Sequence, residues 1–135
     1  MPLLATYGNG RVGYRVSATL KHQKHLGLAY IYGMELVTRN EFYPEARVCP
    51  NEPYSYIVVD VYEVSDGALT TMDWDEIHPT FLTRKIARAL MHDSIIDVFV
   101  YVQENLASIE HLPTIPNGDW KEYVVNREES ESRKH

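Results

Sequence analysis

Three acids fall within four positions in Met72-Asp73-Trp74-Asp75-Glu76. On a helix, Asp73 and Glu76 share a face at i and i+3, while Asp75 points elsewhere. A carboxyl group set beside Trp74 and other apolar groups has a raised pKa, because burial disfavours its charge. Such a group can act as general acid or base near neutral pH. The competing reading is an ordinary acidic helix end, although acids there are unfavourable to the helix dipole. A second constellation is Tyr7-Gly8-Asn9-Gly10-Arg11. Two glycines after a buried strand let the backbone turn sharply and present adjacent N–H groups to a carboxylate or phosphate. Asn-Gly is also a common turn dipeptide, and local sequence alone favours the plain turn. Neither a phosphate-binding P-loop nor a dinucleotide fingerprint has this spacing.

Other chemistries find little support. His22 and His25 stand at i, i+3, and His78, His92 and His111 are scattered, so no zinc or di-metal spacing arises and no metal is expected. Cys49, the one cysteine, has no local partner motif for nucleophilic catalysis and can form no intrachain disulfide, which suits a reducing compartment. No serine stands in a Gly-x-Ser-x-Gly elbow. The net charge of -6 argues against nucleic acid and against anionic membrane surfaces. Arg11, Arg15, Lys21 and Lys24 form the one basic patch, read as a solvated face. The opening Met1-Pro2-Leu3-Leu4-Ala5 does not resemble a signal peptide, and no apolar run approaches the ~20 residues of a membrane span. A cytoplasmic protein that contacts neither membrane nor nucleic acid is expected.

The elements that must position these residues are mostly strands. Leu3 to Tyr7 is a short apolar run entering the glycine turn. Gly13 to Leu26 is polar and reads as loop with one helical turn. Gly27 to Val37 reads as a strand, and Asn40 to Pro53, with three prolines, as loop with a short edge strand near Ala46 to Val48. Tyr56 to Val64 is dense in β-branched and aromatic residues, with Asp60 turned away from its apolar face. Ser65 or Asp66 can cap a helix that carries Leu69 and Met72 and stops near His78-Pro79. Thr83 to Met91 permits helix or strand. The turn His92-Asp93-Ser94 and the β-rich Ile95 to Val102 favour a hairpin. Leu112 to Trp120 reads as loop. Strands without regularly alternating helices predict an α+β domain: a small mixed β-barrel, closed or nearly so, with one or two short helices at its side. The 135-residue length suits a single domain, here residues 1–125, followed by a disordered polar tail over 126–135.

Four segments in order resemble the gamma-glutamyl cyclotransferase-like superfamily. Leu3 through Arg11 is similar to its opening strand and Tyr-Gly-Ser/Thr-Leu-Arg/Lys loop. Phe42-Tyr43-Pro44-Glu45-Ala46 resembles its Pro-containing pocket segment. Val59 through Glu76 resembles the strand and helix ending in Leu-Asp-x-x-Glu. Val98 through Val102, then Asn117-Gly118-Asp119-Trp120, resembles the late strand and Gly-Asp-Trp close. The resemblance implies a pocket at one end of a barrel and conversion of a γ-glutamyl amine or peptide to 5-oxoproline and free amine. It implies Glu76 as general acid/base, with Tyr7, Gly8, Asn9, Gly10, Arg11 and Pro44 around the substrate. No metal or cofactor is required. Asn9 and Gly10 depart from the family's Ser/Thr and Leu, and Leu82 stands where its Tyr would lie. These departures motivate an alternative that stands behind the enzyme reading, a module that binds a small ligand or a protein without turnover.

Overall fold

The computed structural model describes residues 1–8, 11, 18–39, 41 and 43–133, with the side chains of 131–133 left aside. Its strands are β1 (Leu3–Thr6), β2 (Lys24–Tyr32), β3 (Met34–Thr38), β4 (Pro44–Val48), β5 (Tyr56–Glu63), β6 (Thr83–Met91) and β7 (Ser94–Val102). Its helices are α1 (Ala18–Lys21), α2 (Asp66–Asp75), α3 (Leu106–Ile109) and α4 (Trp120–Arg133), with a 3₁₀ turn at Pro116–Gly118. Five strands close into a barrel in the order β1-β5-β2-β6-β7, while β3 and β4 pair separately. The β1–β7 contact, Leu4 opposite Phe99, is parallel and the other barrel pairs are antiparallel. This is the small mixed barrel that the strand-rich sequence predicts.

Alternation along the strands builds two apolar clusters. Inward residues Ala5, Ile31, Val59, Val61, Val98 and Val100 fill the barrel, joined by Trp120 and Val124 of α4. Outward residues Leu4, Tyr62 and Tyr101 pack against Leu20 of α1 and Ala68, Leu69 and Met72 of α2. β5 is thus buried on both faces, which is why its run has so few polar residues. Asp60 is buried too, rather than turned to water: its carboxylate meets Arg11 Nε at 2.8 Å and His25 Nε2 at 2.9 Å.

Several local expectations need correction. The Gly27–Val37 strand is two strands, because Gly33 at φ 78 breaks the run and sends β3 out of the barrel. β2 begins at Lys24, since exposed polar residues are tolerated on the outer face of a barrel wall. The short edge strand expected near Ala46 to Val48 is present as β4 but begins earlier, at Pro44. The segment expected as a disordered tail is helical through Arg133. Asp119 caps that helix, accepting from the Glu122 N–H at 3.1 Å, and buried Trp120 and Val124 anchor its first turns so the polar remainder propagates from a formed nucleus. Among the described residues no helix is long and apolar enough to cross a membrane.

Candidate functional site

A cavity of about 460 Å³ opens where the end of β1, the start of β4 and the end of α2 meet. Tyr7 and Gly8 come from the first, Tyr43, Pro44 and Glu45 from the second, and Met72, Asp75, Glu76 and Ile77 from the third. Ala5, Thr6, Leu20, Phe81, Leu82 and Tyr101 complete its walls. Residues distant along the chain therefore share one hollow, and Glu76 faces the same space as the first residues of the glycine loop.

The end of α2 is built to hold Glu76. Ser65 caps the helix start, accepting from the Ala68 N–H at 3.0 Å. Glu76 is the C-terminal cap. The Ile77 N–H donates to Trp74 O at 3.1 Å and the His78 N–H to Asp73 O at 2.9 Å. That pair of bonds is a Schellman termination, whose left-handed residue is usually glycine. Here it is Ile77 at φ 55, a β-branched residue in a sparsely populated conformation. The helix ends at Asp75 by this turn, before the proline that the sequence marks as its stop. Burial raises the pKa of Glu76, and the adjacent Asp75 carboxylate raises it further.

The neighbours of Glu76 differ from those its helix position implies. Trp74 is 84% exposed and does not shield the carboxyl group; the cavity wall does. Asp75 lines the cavity, whereas Asp73 turns away to accept the Tyr101 hydroxyl at 2.6 Å and to pair with Arg84 at 3.3 Å. Tyr7 donates its hydroxyl to Tyr101 O at 2.7 Å. Burial pushes both phenols far up, so both remain protonated; nearby Glu76 adds to the rise at Tyr7, and the bond to Asp73 adds at Tyr101. Glu45 is buried but compensated, held by the Arg39 guanidinium through two contacts of 3.1 and 3.2 Å and by Gln103 at 3.0 Å.

Gly8 and Pro44 are interlocked. A Cβ on Gly8 would sit 3.0 Å from both Pro44 Cδ and Cγ, so only glycine passes without a shift. Asn9 and Gly10, expected to follow in the substrate loop, lie outside the described residues. Arg11 is not among the cavity residues, nor on a solvated face. It is 4% exposed, paired with Asp60 and, at 3.0 Å, with Asp119. Its side chain thereby reaches β5 and the cap of α4, and its own N–H donates to Gly8 O at 3.1 Å. Tyr101, Glu45 and Leu20 escaped the sequence reading. The alternation of Val98, Val100 and Val102 against Phe99 and Tyr101 is the signal that placed Tyr101 opposite the barrel core, toward α2.

Among the described residues no group of His, Cys, Asp and Glu side chains is arranged to hold a metal ion. What the arrangement offers is a half-buried carboxyl group across a small hollow from a glycine turn, with two protonated phenols beside it. It can move a proton at a small ligand.

Comparison with known proteins agrees with this architecture. No curated protein matches the chain. An uncharacterized protein of Pyrococcus horikoshii has a TM-score of 0.69 at 21% identity, over 96% of this chain and 98% of that one. A mouse AIG2-like protein has a TM-score of 0.72 at 19% identity, over 85% and 86%. A structure titled gamma-glutamyl cyclotransferase has a TM-score of 0.64 at 11% identity, over 84% and 69%. At these identities the likeness is one of fold. The model of the family described as gamma-glutamyl cyclotransferase, AIG2-like matches residues 4–122, a stretch that contains the whole cavity, and the chain belongs to that family.

Proposed function

We propose that the chain is a gamma-glutamyl cyclotransferase that converts a γ-glutamyl amine or peptide to 5-oxoproline and free amine. The observation that carries this reading is the shared cavity of Glu76 and Gly8. The substrate's α-ammonium loses one proton to solvent to become a nucleophile. Its nitrogen attacks the γ-carbonyl carbon, forming the ring C–N bond. That nitrogen gives a second proton to the Glu76 carboxylate, which delivers it to the departing amine nitrogen as the original amide C–N bond breaks. Electrons and protons balance without a metal or a cofactor.

Three features support the assignment. The nucleophile and electrophile belong to one molecule, so a cavity that holds it folded supplies much of the acceleration. The raised pKa of Glu76 brings it nearer to that of the groups it exchanges protons with. The two phenols, protonated throughout and each already donating, Tyr7 to Tyr101 O and Tyr101 to Asp73, hold the cavity wall beside Glu76 in place. Incubating the purified chain with a panel of γ-glutamyl amides and dipeptides and assaying 5-oxoproline tests the proposal. Release from at least one compound is expected; folded protein that releases it from none would defeat the assignment.

A further inference from the structure

The outer wall of the barrel is covered by α1 and α2 where Leu4, Tyr62 and Tyr101 point outward. On β2, β6 and β7 a second apolar set points outward and stays in water. Ala89, Val98 and Val100 face the core, so alternation turns Ile86, Arg88 and Leu90 of β6, and Ile95 and Asp97 of β7, to the outside. On β2, Leu28, Tyr30 and Tyr32 alternate with the inward Ala29 and Ile31. Register joins them into one surface: Tyr30 stands opposite Leu90, Leu90 opposite Ile95, and Arg88 opposite Asp97. Ile86 and Ile95 are each 68% exposed, Tyr32 51% and Leu28 42%. A barrel wall that faces water has no need of apolar side chains, and a contiguous set of them marks an interaction surface.

The charges within the face indicate what covers it. Arg88 and Asp97 are both exposed and stand side by side among the apolar residues, yet among the described residues neither forms an ion pair. The charges next to them on β6 are engaged elsewhere, Arg84 with Asp73 and Lys85 with Glu104. A chain of net charge -6 repels its own copies in general, but this one positive and one negative group cancel. A two-fold axis parallel to the strands, between β6 and β7, exchanges their positions. It lays Arg88 of one copy over Asp97 of the other, and Leu90 over Ile95, each twice. We infer that this face joins two copies of the chain as a symmetric dimer. Its three strands have nine residues each, so at ~3.3 Å per residue and ~4.8 Å between strands the face spans about 30 Å by 14 Å. Upright side chains enlarge that area toward the ~600 Å² per partner of the smaller stable interfaces. None of these residues lines the cavity, so the dimer stands or falls apart from the cyclotransferase reading.

Sedimentation velocity across a concentration series tests this. The parent chain should pass from monomer to dimer. Arg88→Asp and Asp97→Arg each set like charges against each other at two places in the interface, and each variant alone should raise the dimer dissociation constant by about a hundredfold or more. Mixing the two variants in equal amounts should restore the dimer, because every like pair becomes an opposite pair. That rescue arises only between chains, so a defect within either chain cannot mimic it. Ile95→Ser, which leaves both charges in place, should weaken the dimer as well. A parent chain that stays monomeric throughout, whether or not the face then captures lipid vesicles or another protein, would overturn the inference. So would a dimer of parent strength in any of the three variants, or a mixture of the two charge variants that stays monomeric.

Discussion

Glu76 feels two influences that act in one direction. Burial in the cavity wall is the larger, and the Asp75 carboxylate one residue away is the smaller. In the proposed reaction Glu76 is the general base and must be ionised, so turnover should rise with pH through its pKa in the free protein. The acidic limb of kcat/KM should therefore lie above ~4.3, the ordinary glutamate value. Replacing Asp75 by Asn removes a like charge, lets Glu76 ionise more readily, and should move that limb to lower pH. A pH profile of kcat/KM for both proteins measures this; a limb that moves upward, or stays in place, would show that Asp75 does not act on the base. At this scale the sequence singles out Glu76 and Gly8, which the fold brings to one cavity, because an acid cluster at a helix end and a glycine after a buried strand leave local marks. It misled about partners. The helical wheel puts Asp73 beside Glu76, but Asp73 is claimed by Tyr101 and Arg84 from β7 and β6, contacts that no local spacing encodes. Arg11 reads as one member of a basic patch, and only the fold supplies the two acids, buried Asp60 and half-buried Asp119, that draw it inward.

Among the elements, the short turn before α4 has the narrowest tolerance. Gly118 has φ +60, and a Cβ there would lie 2.0 Å from Tyr56 O in the barrel wall. Both the left-handed backbone and the close approach exclude a side chain. Gly118→Ala should lower stability by about 3 kcal/mol or more, since strain and steric overlap add. Urea denaturation measures the loss, and a variant with the parent midpoint would refute the close packing. The same turn presents Asp119, which caps α4 and holds Arg11, so its failure would also loosen the glycine turn. Elements with a strong period were readable. The β6–β7 hairpin follows from two β-rich runs around His92-Asp93-Ser94, and it overrides the helix propensity of Arg84 to Leu90. α4 was not readable as a helix from its polar residues. Its cue is the Asp119…Glu122 capping pair just before Tyr123 and Val124, hidden inside a segment whose prolines and Asn-Gly announce a loop.

At the scale of the whole molecule, the barrel serves as a frame around which three chain-distant pieces meet. β1 brings Tyr7 and Gly8 to the barrel end, the separate β3–β4 sheet sets Pro44 against Gly8, and α2, packed on the outer barrel face through Ala68, Leu69 and Met72, delivers Glu76 from the side. The closed architecture was legible from strand density without alternating helices. The second apolar cluster outside the barrel was not, because a strand buried on both faces loses the alternation that would have declared it. The central claim is that Glu76 moves the proton in ring closure. It is tested most directly by comparing Glu76→Gln with the parent chain on the best γ-glutamyl substrate, following 5-oxoproline, with thermal melting and 5-oxoproline binding as controls. The amide keeps the shape and removes the proton transfer, so the rate should fall by about a thousandfold while the fold and the binding persist. A Glu76→Gln protein that turns over at the parent rate would contradict the account.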